Sequence, residues 1–366
     1  MASVSVRAIP PPLSIIRCPH FTNHKIPLNK SGLSTPVLNI SSKLRVPYHL
    51  SDGQNRHFHK LPSGLNMEVI AQRGKVEDPT GNLSPKCPLV FVHGSFHAAW
   101  CWAVHWLPFF ANNGYDCYAI SLLGQGESDV PTGPVAASLQ THASDVAHFI
   151  REEIGSQSVL IGHSFGGLIV QSYISNMIRP LKSSNSERED SYPELAGAIL
   201  ICSVPPSGNS GLVWRYVFSR PAAAFKVTLS LAAKAFATSL PLCKETFFCE
   251  DMGDRLVQRS IGELSYQELM KESSRMPLFD LRKLNASLPV PPVPNNCLSI
   301  LVMGAANDFI VDNQGLNETA KFYGILPVVV EGVAHDMMLD TCWERGARVI
   351  LSWLNQELNK LTRLSP

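Results

Sequence analysis

The sequence predicts an α/β fold in which helices flank a mostly parallel sheet and a helical lid is inserted late in the chain. From about Leu65 onward, short apolar runs alternate with helical stretches, as they do in parallel βαβ units. A strand, a sharp turn and a helix succeed one another within residues 158–177. The 366 residues exceed the usual size of one domain, but α/β folds reach this length as a single domain with an insertion.

The alternation assigns seven strands and five helices to the sheet and its covering layers. The strands are expected at 67–71, 89–92, 117–120, 159–161, 198–202, 299–303 and 328–330. The helices are expected at 100–111, 141–154, 168–177, 317–322 and 343–361. The predicted core, which consists of the sheet and its covering helices, therefore occupies residues 65–202 and 295–366.

The segment 203–294 lacks convincing strands and is interpreted as the helical lid with a Pro-rich return linker. Its apolar helical run at 221–242 approaches the length of a membrane span, but Lys226 and Lys234 interrupt it. A lid helix that covers an apolar pocket is therefore the favoured interpretation of residues 221–242. A second helical run follows at 256–270. The charged residues 183–190 are expected to form a mobile surface loop.

Composition limits the partners of the chain. A formal net charge of +1 gives no whole-chain field that would favour nucleic acid, so the expected ligand is a neutral or apolar small molecule. The nine cysteines are an odd number without C-x-x-C spacing, which favours small buried thiols over disulfides or a structural zinc site.

The first 55 residues differ in kind from the rest of the chain. No acidic residue precedes Asp52, whereas basic residues, serine and proline are plentiful there. An acid-free, basic, Ser-rich start without a long apolar run indicates a transit peptide with a chloroplast destination, or a mitochondrial one as the alternative. The other interpretation of residues 1–55 is an ordinary disordered tail.

The turn Gly162-His-Ser164-Phe-Gly166 fits a nucleophile elbow, in which a serine in a strained turn projects its hydroxyl above the edge of a sheet. The following helix would aim its first amides at this serine, where they could stabilise an anion formed on a substrate carbonyl. Ser164 is therefore the candidate nucleophile. The pattern alone also arises by chance in a plain strand-to-helix turn.

A serine nucleophile needs a histidine base and a carboxylate that orients it. Asp308 follows the next-to-last predicted strand, and His335 follows the last one. The order Ser164, Asp308, His335 is the one expected on an α/β-hydrolase sheet. Asp312 and Asp336 are rivals for the orienting acid, and Asp308 is preferred because it lies nearer the end of its strand.

The loop after the strand 89–92 supplies the second donor for an oxyanion. Its glycine allows the backbone to approach a substrate, so the N–H groups of Ser95 and Phe165 are the expected oxyanion donors. His93 and His163 are expected to brace their loops through hydrogen bonds. The tryptophans and other histidines of the region carry no argument from position, and they are interpreted as ordinary packing or surface residues: His97, Trp100, Trp102, His105, His142 and His148.

Three separate motifs resemble those of the lid-bearing α/β-hydrolase superfamily. Residues 93–102 are similar to the oxyanion-loop signature of plant methylesterases and hydroxynitrile lyases, and 124–128 resembles the G-x-G-x-S turn of the superfamily. Residues 334–339 look more like a group of bacterial-type hydrolases. The resemblance implies the same triad and oxyanion donors. A serine at 164 removes the aspartate nucleophile of epoxide hydrolases and haloalkane dehalogenases.

Together these residues predict a serine hydrolase that cleaves a carboxylic ester without a metal or organic cofactor. The expected partner is a hydrophobic ester or lipid-like small molecule, with no nucleic acid and no transmembrane span, and with room for peripheral membrane contact. The alternatives are a lyase or an acyltransferase on the same residues, and a small-molecule receptor whose lid moves without turnover.

Overall fold

The computed structural model describes residues 48–75, 86–178, 191–219, 221–257 and 265–363. Residues 1–47 of the predicted transit peptide and the predicted surface loop at 183–190 lie outside these ranges. Part of the predicted second lid run, residues 258–264, lies outside them as well.

The described residues form one eight-stranded sheet in the order β1-β2-β4-β3-β5-β6-β7-β8. The strands are β1 (Gln54–Lys60), β2 (Asn66–Gln72), β3 (Leu89–Val92), β4 (Cys117–Ile120), β5 (Val159–His163), β6 (Gly197–Ile201), β7 (Ile300–Ala305) and β8 (Val328–Val330). The β1–β2 and β2–β4 pairings are antiparallel, and every pairing from β4 to β8 is parallel. The predicted mostly parallel sheet is confirmed.

The central strands β3, β5 and β6 are buried along their whole length, as expected when helices cover both faces of a parallel sheet. Because side chains alternate between faces, neighbouring residues enter different cores. Phe91 and Ile161 lie opposite each other in register and belong to one core, whereas Val90 and Leu160 belong to the other.

The strand β1 (Gln54–Lys60) is absent from the sequence prediction, which ended a tail at residue 55 and began the core at residue 65. It lies at the edge of the sheet and pairs with β2 alone. A strand at the edge of a sheet has a neighbouring strand on one side only and remains partly open to solvent. The sequence of β1 is accordingly polar, and Phe58 is half exposed. The apolar alternation that indicates a strand is therefore missing.

Twelve α-helices surround the sheet within the described ranges. They are α1 (Trp100–Ala103), α2 (Trp106–Asn112), α3 (Leu139–Phe149), α4 (Phe165–Ile178), α5 (Ser210–Ser219), α6 (Pro221–Val227), α7 (Leu240–Phe247), α8 (Asp254–Val257), α9 (Tyr266–Ser273), α10 (Leu281–Ser287), α11 (Asn313–Phe322) and α12 (Trp343–Arg363).

Caps and local breaks change three of the predicted helices. The helix expected at 100–111 is split into α1 and α2 at His105, whose φ of −128° is not helical. The helix α3 begins after Ser138, whose side chain accepts a hydrogen bond from Thr141 N–H, and it continues as a π-helix over Ile150–Ile154. The helix α11 begins four residues before the predicted start because Asp312 caps it.

The helices α5 to α10 belong to the inserted segment, residues 203–294, which contains no strand among its described residues. The prediction of one continuous helix at 221–242 is wrong. Between α6 and α7 the chain forms a π-helix, Thr228–Ala232, and a short 3₁₀ helix, Ala235–Ala237. Lys234 has a φ of +54°, which ends regular helix at that point. No helix within the described ranges is long and apolar enough to cross a membrane.

Candidate active site

The turn between β5 and α4 holds Ser164 at a φ of +54°, in the left-handed region that a non-glycine residue seldom adopts. The main chain fixes this conformation: Ser164 N–H donates to Ile201 O at 3.0 Å, and Val204 N–H donates to Ser164 O at 3.1 Å. A Cβ on Gly162 would lie 2.6 Å from Gly166 O, so the tight packing of strand against helix requires glycine there. The geometry is that of a nucleophile elbow.

The loops after β7 and β8 bring Asp308 and His335 together. His335 Nδ1 lies 2.9 Å from Asp308 Oδ1 and 3.0 Å from Oδ2, and both side chains are almost fully buried. Asp308 Oδ1 also accepts the N–H groups of Ile310 and Val311 at 2.8 and 2.9 Å. The carboxylate is thus fixed by its own loop and presented to the imidazole.

The environment of His335 acts on its pKa in two opposite directions. Burial by itself lowers the pKa, because it penalises the charged imidazolium. The charge and hydrogen bond of Asp308, with a further contribution from the charge of Asp336, outweigh burial and leave the pKa raised above its ordinary value. The site therefore favours an imidazolium, which is the form that a general base becomes after it accepts a proton.

Neither of the two rival acids contacts His335 Nδ1. Asp312 accepts two hydrogen bonds from Arg215, at 2.6 and 2.8 Å, and caps α11. Asp336 Oδ2 lies 2.9 Å from His97 Nε2. Asp308 is the carboxylate that the structure brings to His335.

A histidine connects the elbow to the loop of His335. His163 Nε2–H donates to His335 O at 2.9 Å, and the two rings lie 4.7 Å apart. Burial, assisted by the charge of His335, lowers the pKa of His163 to about 3, so this ring is neutral and braces the loop as predicted. The hydrogen bonds within the described ranges include none from the Ser164 hydroxyl to His335, and such bonds often form only once a substrate is bound.

The loop after β3 lies directly against the elbow. A Cβ on Gly94 would lie 2.8 Å from Ser164 Cβ, which explains the glycine and places Ser95 next to the serine. His93 braces this loop as predicted, because its Nε2 accepts Leu122 N–H at 2.9 Å and its Nδ1–H donates to Gly94 O at 2.7 Å. The second expected oxyanion donor, Phe165 N–H, is the first amide of α4.

The position of His97 in the sequence indicates no role for it, yet this residue forms a buried pair with Asp336. His97 lies two residues beyond Ser95, and Asp336 adjoins His335. Both loops follow strands at the carboxyl edge of one sheet, so the strand assignments alone could have suggested that they meet.

A cavity of about 700 Å³ reaches the candidate site from the side of Asp308. It lies between α5 and the chain from Ala305 to Gln314, and its lining includes Trp214, Tyr216 and Phe218. Ser164 and His335 are not part of this lining. The inserted segment therefore contributes aromatic surface beside the orienting acid.

Several clusters of histidine, cysteine and carboxylate atoms have the spacing of metal ligands, and two of them include His335. Protein partners already occupy three of the atoms in these clusters. His335 Nδ1 is bound to Asp308, His163 Nε2 to a carbonyl oxygen, and Asp340 Oδ2 accepts two main-chain N–H groups. Hydrogen bonding accounts for these contacts.

A mostly parallel sheet with an elbow serine, and with an acid and a histidine after later strands, is the layout of α/β hydrolases. The sequence model described as "Alpha/beta hydrolase family" matches residues 89–349. The chain therefore belongs to the α/β hydrolase family, and the predicted superfamily is confirmed.

Two curated relatives match short parts of the chain. It is 27% identical over 121 residues to "Bifunctional epoxide hydrolase 2" of Sus scrofa, covering 32% of this chain and 22% of that protein. It is 33% identical over 79 residues to "Putative methylesterase 13, chloroplastic" of Arabidopsis thaliana, covering 21% of this chain and 17% of that protein. The chain thus spans about a fifth of the length of these relatives.

The fold matches solved structures over a much longer stretch. A thermophilic esterase from Thermogutta terrifontis superposes with a TM-score of 0.55 at 19% identity, covering 83% of this chain and 99% of the esterase. At this identity the likeness shows the shared fold.

Proposed function

We propose that this hydrolase cleaves the carboxylic ester of a hydrophobic small molecule or lipid through an acyl-enzyme on Ser164. The observation that carries the proposal is the contact of His335 Nδ1 with Asp308 at 2.9 and 3.0 Å, in a loop bonded to the elbow through His163. With Nδ1 engaged by the carboxylate, Nε2 remains as the nitrogen that can accept a proton.

In the proposed acylation, Ser164 Oγ attacks the ester carbonyl and His335 Nε2 takes the hydroxyl proton. The N–H groups of Ser95 and Phe165 stabilise the negative charge that develops on the carbonyl oxygen. When the tetrahedral intermediate collapses, the carbon–oxygen bond to the alcohol breaks and His335 gives its proton to that alcohol.

Deacylation repeats these steps with water in place of the serine. His335 takes a proton from water, the hydroxide attacks the acyl carbonyl, and the proton returns to Ser164 as the carboxylic acid leaves. Asp308 stabilises the imidazolium in both halves of the reaction. The raised pKa of His335 supports this role, because burial alone lowers that pKa and the charge and hydrogen bond of Asp308 outweigh burial.

The hydrophobic character of the proposed substrate is supported by the cavity beside Asp308. Trp214, Tyr216 and Phe218 supply aromatic surface there, beside five polar or charged residues of the same lining. Aromatic surface of this kind suits the apolar part of a small molecule. An acyl chain or a bulky alcohol could bind along these rings while its ester group reaches Ser164.

A chloroplast destination stays part of the proposal. It is supported by the acid-free, basic start of the sequence and by the name of the Arabidopsis thaliana relative, "Putative methylesterase 13, chloroplastic". A fluorescent protein fused behind residues 1–55 tests it, and a fusion that stays in the cytosol contradicts it.

Labelling with a fluorophosphonate tests the proposed nucleophile. We expect the probe to label the full chain on the peptide that contains Ser164, and Ser164→Ala to abolish labelling and to lower ester hydrolysis by at least about ten-thousand-fold. Ser175→Ala is the matched control, because Ser175 is a buried serine in the neighbouring helix α4, whose hydroxyl donates to Pro291 O. A folded wild type that binds hydrophobic esters without labelling or turnover would support the receptor alternative instead.

A further inference from the structure

His97 and Asp336 form an ion pair inside the molecule. His97 Nε2 lies 2.9 Å from Asp336 Oδ2, and His97 Nδ1 lies 2.8 Å from Ser95 O. The exposed fraction of the side chain is 1% for His97 and 0% for Asp336. Neither residue gives or takes a proton in the steps proposed above.

The hydrogen-bond partners determine the charge of this pair. A carbonyl oxygen and a carboxylate can only accept, so each ring nitrogen of His97 must carry a proton when Asp336 is ionised. Burial raises the pKa of Asp336, but the charge and hydrogen bond of His97 outweigh it and leave the pKa lowered. The contacts therefore pair an anionic Asp336 with a His97 ring that faces an acceptor at each nitrogen.

This pair lies where three loops meet. His97 belongs to the loop after β3, and Asp336 follows His335 in the loop after β8. The third loop is the elbow, whose His163 Nε2 lies 3.8 Å from Asp336 Oδ1. The pair therefore joins the loop of the expected oxyanion donor to the loop of the expected base.

A charged His97 makes a bond that a neutral one could not keep. If the ring had one proton, it could donate to Ser95 O or to Asp336, but not to both. The main chain beside Ser95 is also strained, since Phe96 has a φ of +67°. A strained loop needs fixed partners to hold one conformation.

We propose that the His97–Asp336 ion pair is a positioning device, which holds Ser95 O and thereby aims the Ser95 N–H at the oxyanion formed over Ser164. The inference rests on the proposed function, because it assigns a role to residues that serve the same acyl transfer. His97 and Asp336 act through the main chain and touch no reacting atom.

The first test removes both charges together, because removing one partner would leave an uncompensated charge in the interior. His97→Phe with Asp336→Leu fills the space with apolar groups, and the neighbouring rings of Trp100 and Phe247 suit a phenyl ring. We expect the melting temperature to stay within a few degrees and the rate of fluorophosphonate labelling to fall about 10- to 100-fold, with kcat reduced and KM retained.

Two further variants make this result decisive. Asp336→Asn keeps the shape, and without the anion His97 can give up its second ring proton, so no charge is left unpaired. This variant therefore serves the same comparison if the double variant does not fold. His105→Phe is the control, since it replaces a histidine that stacks on Trp343 outside the site. Unchanged labelling in a folded double variant would overturn the proposal and leave the pair a purely structural role.

Nuclear magnetic resonance tests the charge and the loop without any turnover. We expect the ring ¹⁵N shifts of His97, assigned by their absence in the double variant, to be those of two protonated nitrogens at neutral pH. We also expect the amides of Ser95 and Phe96 to exchange with solvent at least about tenfold faster in Asp336→Asn than in the wild type. A neutral ring, or unchanged exchange, would overturn the positioning role.

These readouts separate the two proposals. A wild type that does not label overturns the proposed function and with it the catalytic purpose of the pair. Two protonated ring nitrogens in His97 and faster amide exchange in Asp336→Asn would then still show that the ion pair holds the loop of Ser95 in place. If the wild type is labelled but His97 is neutral, the proposed function is supported and the positioning role of the His97–Asp336 pair is overturned.

Discussion

The loops at the carboxyl edge of the sheet and the inserted segment, residues 203–294, differ in how their side chains are held. In the loops, Asp308, His335 and Asp336 are almost fully buried and each is hydrogen-bonded to other loops or to its own main chain. In the inserted segment, α5 leaves Trp214 60% exposed and Phe218 80% exposed.

This difference separates two tasks. Proton transfer and oxyanion stabilisation need groups that keep their positions, and buried hydrogen bonds provide that. Binding a hydrophobic substrate needs apolar surface that can become covered, and exposed aromatic side chains provide that. Changes in the loops should therefore affect the rate of chemistry, whereas changes in the inserted segment should affect the choice of substrate.

The largest effect is expected at the orienting acid. Asp308→Asn keeps the size of the side chain but removes the charge that stabilises the imidazolium of His335, so kcat should fall about a thousand- to ten-thousand-fold. The control is Asp312→Asn, because an asparagine can still cap α11. Steady-state hydrolysis of a 4-nitrophenyl ester measures both variants, and equal losses in the two would contradict the assignment of Asp308.

The pH dependence of the reaction should report the raised pKa of His335. The base must be neutral to accept a proton, so kcat/KM should be half-maximal above pH 6.5 and fall about tenfold for each pH unit below that midpoint. The same raised pKa adds stability to the fold at low pH, which is lost as the pH rises through the folded-state value.

The residual activity of Asp308→Asn gives the matching control. Without the Asp308 charge, the lowering effect of burial is no longer outweighed, so the midpoint should move to lower pH. A midpoint that does not move in this variant would show that another group controls the profile.

A smaller and more selective effect is expected in the inserted segment. Phe218→Ser removes an aromatic ring from the lining of the cavity, so kcat/KM for 4-nitrophenyl dodecanoate should fall about tenfold while the value for the acetate ester changes little. Phe225→Ser is the control, since Phe225 is also exposed but does not line the cavity. Equal losses for both esters would contradict the separation of tasks.

The smallest effect concerns stability alone. Ser265 caps α9: its side chain accepts Glu268 N–H at 3.1 Å, and the Glu268 carboxylate accepts Ser265 N–H in return. Ser265→Ala should lower the free energy of unfolding by about 1 kcal/mol in urea titrations and leave hydrolysis of the acetate ester unchanged. Ser265→Thr should retain most of that stability, and a large loss of hydrolysis in Ser265→Ala would instead tie the inserted segment to the chemistry.

Much of the fold followed from local apolar patterns. All seven predicted strands occur, with ends displaced by at most two residues, because strands buried on both faces must be apolar throughout. The patterns did not find β1, whose edge position permits a polar sequence. They also joined α1 to α2 and α6 to α7, because apolar content continues across breaks that the backbone makes at His105 and Lys234.

By itself the sequence determined the order of Ser164, Asp308 and His335 and the strands that carry them, since strand and elbow signals are local and chain order is fixed. Only the tertiary structure decided which carboxylate meets which histidine. Asp308 lies 27 positions from His335, and Asp336 lies 239 positions from His97. Such pairings depend on how the sheet brings distant loops to one edge and buries them together, so the contact of His97 with Asp336 is a property of the folded molecule alone.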